Sequence, residues 1–174
     1  MSIFTLKDWW SVKIAEDEEF DIGCLAVGNI DNGNPSSNKI VVASHNGMIR
    51  IYAPSGPQFR IEDLLFEEKV SLNDEPILQI LLGRFLPNSD NLALAILFPR
   101  KLGVYELLSK SSGTSSKHTI YKLSKNYEHP LGIGIDAQHF SAYNMVSGQF
   151  GNNGDNETNK EGEMIMVARL TSCV

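Results

Sequence analysis

Apolar residues recur along this chain in short runs, broken by Gly, Pro, Asn or Asp. The segments Cys24 to Val27, Lys39 to Ala43, Met48 to Tyr52, Ile77 to Leu82, Leu92 to Phe98 and Leu102 to Leu107 are rich in Ile, Val and Leu, the composition of half-buried or fully buried strands. Helical periodicity is not sustained over a dozen residues anywhere; Ile61 to Lys69 is the best short helical candidate and reads equally well as an outer strand. The pattern predicts an all-β protein with little helix.

Two hairpins stand out. Asn46-Gly47 divides Lys39–Ala43 from Met48–Tyr52, and Asn-Gly tolerates the positive φ angles that a type I′ turn requires. Pro99-Arg100-Lys101 divides Leu92–Phe98 from Leu102–Leu107 in the same manner, with weaker turn chemistry.

The hairpins sit within a repeat. Leu25-Ala-Val-Gly-Asn-Ile30 precedes the first, Leu81-Leu-Gly-Arg-Phe85 the second, and Val146-Ser-Gly-Gln-Phe150 a third apolar run, Met164 to Leu170. Gly28, Gly83 and Gly148 share one phase, at offsets of 55 and 65 residues. Each unit reads strand, loop, strand, tight turn, strand, then a more polar strand such as Leu64 to Val70 or Thr119 to Leu123. Four strands per unit is a propeller blade. A lone four-stranded sheet buries only one face, whereas blades stacked around an axis bury each other's.

The expected architecture is therefore a partial β-propeller of WD40-like type, about two and a half four-stranded blades. Residues 1–22 form an N-terminal strand and acidic loop, 23–75 the first blade, 76–130 the second, and 131–174 the start of a third. Because closed propellers use about four to eight blades, the sequence is expected to stop partway through the architecture. Phe4 to Ile14 reads as a terminal strand, which in many propellers pairs into the last blade.

Composition narrows the function. At 42% hydrophobic and 21% charged, the chain has ordinary globular values. A net charge of −6 disfavours a nucleic-acid surface. The longest apolar runs are far short of the roughly 20 residues that a membrane-spanning helix needs. Met1 to Trp10 lacks the features of a secretory signal, so a cytoplasmic location is expected. Cys24, in an apolar run, and Cys173, near the end, form neither a disulfide framework nor a metal-ligand pair.

No catalytic, cofactor or metal site is predicted. His45, His118, His129 and His139 are scattered without zinc-ligand spacing. A Gly-x-Ser-x-Gly elbow is absent, as is a Cys in a polar setting. Gly132-Ile-Gly-Ile-Asp136 lacks the Gly-Lys-Ser/Thr ending of a phosphate loop and reads as a turn or strand kink. Asp31, Asp90 and Asp136 are the acids that a propeller enzyme would bring to its central channel, and they do not form a convincing pair. The acidic run Glu16 to Glu19 with Asp21 is expected to be a solvated loop, since its carboxylates are adjacent rather than spaced as calcium ligands. Ser109 to Lys117 is a flexible low-complexity loop, and Asn156-Glu-Thr158 a sequon in an unglycosylated context. Trp9 and Trp10 are the candidate partner-facing residues: neighbours on a strand face opposite sides, so one is expected in the core and the other semi-exposed.

Several motifs in register carry a family resemblance. They are Asp8-Trp9-Trp10-Ser11, Glu19-Phe20-Asp21 with Gly23-Cys24-Leu25, Asn46-Gly47-Met48-Ile49-Arg50-Ile51, Glu62-Asp63-Leu64-Leu65, Pro76-Ile77-Leu78-Gln79, Arg100-Lys101-Leu102 with Val104-Tyr105, and Tyr127-Glu128-His129. From about Met1 to Phe150 the chain resembles the N-terminal part of the Bardet-Biedl syndrome protein 9 family, also called parathyroid hormone-responsive B1 proteins. It departs from that family in the loops 32–38 and 109–117 and after Gly151. The resemblance implies a non-enzymatic scaffold subunit of the BBSome, the coat-like adaptor that moves membrane proteins into and out of primary cilia. It implies other BBSome subunits as partners, indirect association with ciliary membrane cargo, and a place at the cilium, basal body and centriolar region. The alternatives from the residues are a truncated, poorly folded product without autonomous function, and a propeller enzyme.

Overall fold

The computed structural model describes residues 8–33, 35–71, 74–111, 119–132, 140–148 and 164–171. The described residues contain ten strands, no α-helix and one short 3₁₀ turn at Ile61–Asp63. The strands are β1 (Leu25–Gly28), β2 (Lys39–Ala43), β3 (Met48–Tyr52), β4 (Leu64–Lys69), β5 (Gln79–Gly83), β6 (Ala93–Leu97), β7 (Lys101–Ser111), β8 (Thr119–Pro130), β9 (Phe140–Gly148) and β10 (Met164–Thr171). They form two four-stranded sheets, β1-β2-β3-β4 and β5-β6-β7-β8, and one pair, β9-β10. Every pairing is antiparallel and joins neighbours in sequence. The protein is all-β.

Gly28, Gly83 and Gly148 are the last residues of β1, β5 and β9, the opening strands of the three sheets. These strands also meet one another, β1 against β5 and β5 against β9. Close approach explains glycine at the first position, where a Cβ on Gly28 would lie 2.9 Å from Leu82 Cδ1.

The continuous apolar run in β6 follows from this stacking. Leu94 and Ile96 enter a core between the first and second sheets with Val41, Ile49, Ile51 and Ile80. Ala95 and Leu97 enter a second core with Leu102, Ala142 and Met145, between the second sheet and β9-β10. A strand covered on both faces loses its polar positions. β6 is accordingly buried at all five residues.

Local expectations are met unevenly. Lys39–Ala43 and Met48–Tyr52 form strands with the predicted limits, and the segment from Ile61 resolves into the 3₁₀ turn followed by β4. The Asn46-Gly47 turn is not type I′, because Gly47 has φ +77° while Asn46 is not among the positive-φ residues. Gly47 N–H donates to Ser44 O at 3.0 Å and Ser44 N–H to Met48 O at 3.0 Å. The loop therefore has three residues, with glycine in the left-handed position of a bulged turn. The strand expected over Phe4 to Ile14 does not form at residues 8–14, which have no sheet pairing; Phe4 to Lys7 lie outside the described residues. What holds this segment is side-chain contact rather than a backbone ladder.

Candidate interaction surface

The two tryptophans take different roles. Trp10 is half-buried, its ring 5.4 Å from Tyr52 and 6.1 Å from Phe59 between centroids, with Tyr52 and Phe59 at 6.2 Å completing the cluster. Its indole N–H reaches toward Asp63 Oδ2 at 3.4 Å. Asp63 is a hub: its carboxylate accepts from Ser55 Oγ at 2.6 Å, Ser55 N–H at 3.1 Å and Arg60 N–H at 3.0 Å. These hydrogen bonds, Ser55 foremost, hold its pKa below the ordinary carboxylate range. Trp9, by contrast, is 66% exposed. One is packed and the other turned to solvent, although neither lies on a strand.

The acidic run is not simply a solvated loop. Arg50 on β3 donates to both carboxylate oxygens of Glu18, each at 2.6 Å, and through Nε to Glu67 on β4 at 2.6 Å. Glu18 and Arg50 retain 7% and 12% side-chain exposure, and the hydrogen bond from Arg50 keeps the Glu18 pKa low. His45 N–H donates to Glu19 O at 2.9 Å. Trp10 and Glu18 thus strap residues 8–22 across the β3-β4 side of the first sheet. Adjacent carboxylates carried no signal that one would find an arginine 32 residues away.

The acids considered for a central channel are dispersed in role. Asp31 pairs with the buried Lys39 Nζ at 2.6 Å, and Asp136 lies outside the described residues. His45 faces Glu19 at 3.8 Å, and His129 stacks on Tyr127 with centroids 6.3 Å apart; His118, His139 and Cys173 lie outside the described residues. Among the described residues no group of three or more His, Cys, Asp or Glu is placed to hold a metal. Cys24 is a buried free thiol directed at Ile77 O, 3.4 Å away, and burial raises its pKa. An open cleft of about 620 Å³ has Phe85, Val104, Glu106 and Tyr127 on its walls. Glu106 there accepts from Asn91 Nδ2 at 3.0 Å. Among the described residues no helix is long and apolar enough to cross a membrane.

Two side-chain amides tie the sheets together, and neither was singled out for this role by sequence pattern. Asn32, at φ +50°, donates to Leu92 O at 3.2 Å and accepts from Leu92 N–H at 2.7 Å. Gln79 donates to Met145 O at 2.8 Å and accepts from Met145 N–H at 2.7 Å. The first clamps sheet one to sheet two, the second sheet two to β9. Strand alternation then orders the faces. Ile80 and Leu82 on β5 turn toward β1, and Met145 on β9 turns toward the second sheet. Leu25 and Val27 on β1 point the other way and are 61% and 60% exposed.

The PTHB1 N-terminal family profile matches residues 1–171. The chain belongs to the PTHB1 family. It is 40% identical over 155 residues to Protein PTHB1 of Xenopus laevis, covering 87% of this chain and 17% of that protein. Protein PTHB1 of Mus musculus is 40% identical over 157 residues, and that of Homo sapiens 39% over 155. PTHB1 is the parathyroid hormone-responsive B1, or Bardet-Biedl syndrome protein 9, family that the motifs resemble. The chain spans 16 to 17% of the length of these relatives. The blocks around Trp10, Arg50, Asp63 and Gln79, which carry the resemblance, contain the residues that here hold the strap, the hub and the inter-sheet clamp.

Proposed function

We propose that this PTHB1-family chain is a non-enzymatic scaffold: a β-propeller segment of a BBSome subunit, working with other subunits in trafficking membrane proteins to and from the primary cilium. Family membership supports the assignment, and one structural observation supports the propeller. At the 55-residue offset Leu25 and Val27 correspond to Ile80 and Leu82, and at the 65-residue offset Ile80 corresponds to Met145. Ile80 is 2% exposed and Met145 1%, each buried against the preceding sheet. Leu25 and Val27 stand at positions built for the same burial, as a first blade awaiting its neighbour would. Residues 23–75, 76–130 and 131–174 are then the first, second and beginning third blades. Exposed Trp9 is the side chain proposed to face a partner, Trp10 its internal anchor. Contact with membrane cargo is indirect, through the other subunits, and the site of action is the cytoplasm at the cilium and basal body.

The test is affinity capture of the tagged 174-residue chain from ciliated cells, followed by identification of co-purifying proteins. Stoichiometric recovery of BBSome subunits is the expected result. A folded chain that recovers none would sink the scaffold reading for this segment; an aggregated chain would favour the poorly folded product.

A further inference from the structure

The outer strand of the second sheet is twice as long as that of the first: β8 has twelve residues and β4 six. At the 55-residue offset Tyr52 corresponds to Leu107, and their cross-strand partners are Leu64 and Leu123. The first sheet stops at that level, where β3 ends and β4 begins. In the second sheet β7 and β8 run on as a two-stranded arm, from Leu108 opposite Lys122 to Ser111 opposite Thr119. Leu107, Leu123 and Tyr121 fasten the base of the arm to the core between the first two sheets.

The outer edge of β8 has no strand beside it among the described residues, because the sheet order ends there. Sheets stacked before the first or after the third meet faces rather than this edge. Its backbone N–H and C=O groups are therefore open to pairing however many sheets the stack contains. From Thr119 to Lys125 the strand carries two lysines, Lys122 and Lys125, and no acid, in a chain of net charge −6. Lys125 is paired with Glu128 at 3.0 Å, whereas Lys110 and Lys122 have no ion pair among the described residues. Cross-strand pairing of Leu108 with Lys122 and of Lys110 with Ile120 puts these four side chains on one face of the arm. Leu108 and Ile120 there are 41% and 63% exposed.

The charges select the occupant. Lysines on an edge oppose pairing with a second copy, since like charges across a strand pair are destabilising, but leave the edge open to a strand of opposite sign. The acidic run of this chain is already engaged, Glu18 by Arg50 and the Glu19 carbonyl by His45 N–H. The matching edge of the first sheet, β4, is short and carries Glu67 and Glu68.

We infer that the outer edge of β8, along Thr119 to Lys125, receives an extended acidic segment of a partner protein, which adds a strand to the second sheet. Backbone hydrogen bonds to β8 supply the pairing. An acid beside Lys122 and an apolar residue two positions away beside Ile120 supply the selection. This goes beyond the scaffold reading and does not use it, so capture from ciliated cells and the experiment below succeed or fail separately.

Fluorescence anisotropy of labelled peptides on the full 174-residue chain tests it. The first peptide has about eight residues, the length of an ordinary strand, with Thr on one face and Glu and Val in turn on the other. A second has Lys in place of Glu, and a third is the acidic peptide N-methylated along its backbone. Wild type should bind the acidic peptide about tenfold more tightly than the basic one and should not bind the methylated one. Lys122 is exposed, so Lys122→Glu should keep the wild-type circular dichroism while reversing the preference between the two charged peptides. Hydrogen exchange in the complex should slow at residues 119–125 and stay unchanged in β4. No binding of the acidic peptide, equal binding of both charged peptides, or protection outside β8 would overturn the inference. So would binding of the methylated peptide, which marks a contact through side chains alone, or a wild-type dimer that the acidic peptide dissociates, which gives the edge to a second copy.

Discussion

The carboxamide of Gln79 on β5 holds the peptide of Met145 on β9 from both sides, donating to its carbonyl at 2.8 Å and accepting from its N–H at 2.7 Å. A side-chain amide used in this way mimics one rung of a β-ladder between strands that share no ladder. It fixes how far β9 slides along β5, a choice that the apolar contacts around Met145 leave loose. Asn32 does the same for Leu92 between the first two sheets.

Gln79→Leu should therefore leave two backbone groups of Met145 without partners and destabilise the fold by about 2 kcal/mol. Gln79→Glu should cost less at low pH, where a protonated carboxyl can donate to the Met145 carbonyl, and more at neutral pH. Hydrogen exchange at the Met145 amide should accelerate in Gln79→Leu while the Ile96 amide in β6 stays slow. Equal acceleration at both would mean that the clamp is not local to the β5-β9 contact.

The strap predicts a pH dependence. Glu18 and Asp63 both have pKa values held below the ordinary carboxylate range, by Arg50 and by Ser55 with Arg60 N–H respectively. A depressed pKa in the folded state contributes stability above the unfolded value, near about 4, and that contribution is lost as pH falls through the folded value. The melting temperature should be flat between neutrality and about pH 5 and fall below about pH 4. Glu18→Gln should lower it at neutral pH, by about 2 kcal/mol of stability, and flatten the acid limb. A variant with the wild-type acid limb would remove Glu18 from the account.

The strand pattern was legible because it is periodic. β6 is a solid apolar run since it lies between two cores, and the glycines at 28, 83 and 148 mark the strands that approach one another. What was not legible joins distant residues: Trp10 to Asp63 spans 53 positions, Gln79 to Met145 66, and Arg50 to Glu18 32. Such pairs leave no trace in local spacing. The hairpin at Asn46-Gly47 forms as expected, but its type I′ geometry failed for a different reason. The dipeptide suits either a two-residue or a bulged three-residue loop, and the choice is made by the Ser44–Met48 closure and the β2-β3 register. The sequence likewise separated Trp9 from Trp10 only by assuming a strand, and aromatic packing made the separation instead.

The bulged turn makes Gly47 the less replaceable of two glycines. An added Cβ would lie 2.8 Å from Ser71 Cβ, at a backbone φ of +77°. Gly47→Ala combines a clash with a left-handed conformation that costs about 1–2 kcal/mol by itself. At Gly28 the nearest atom is Leu82 Cδ1, the far end of a side chain that can rotate. Chemical denaturation should rank the loss as Gly47→Ala above Gly28→Ala; the reverse order would mean that the β1-β5 contact cannot yield.

The tryptophans provide the sharpest separation of folding from function. Trp10→Ala removes a ring packed on Tyr52 and Phe59 and a donor to the Asp63 hub; a loss of about 3 kcal/mol is expected. Trp9 is exposed, so Trp9→Ala should change the midpoint of denaturation by less than about 0.5 kcal/mol. If Trp9 anchors a partner, as exposed tryptophans often do at interface centres, the same variant should weaken recovery of that partner about tenfold or more while the fold is intact. Trp9→Phe, which keeps an apolar ring, should restore part of the recovery. Undiminished recovery with Trp9→Ala would leave Trp9 as surface and remove it from the proposed contact.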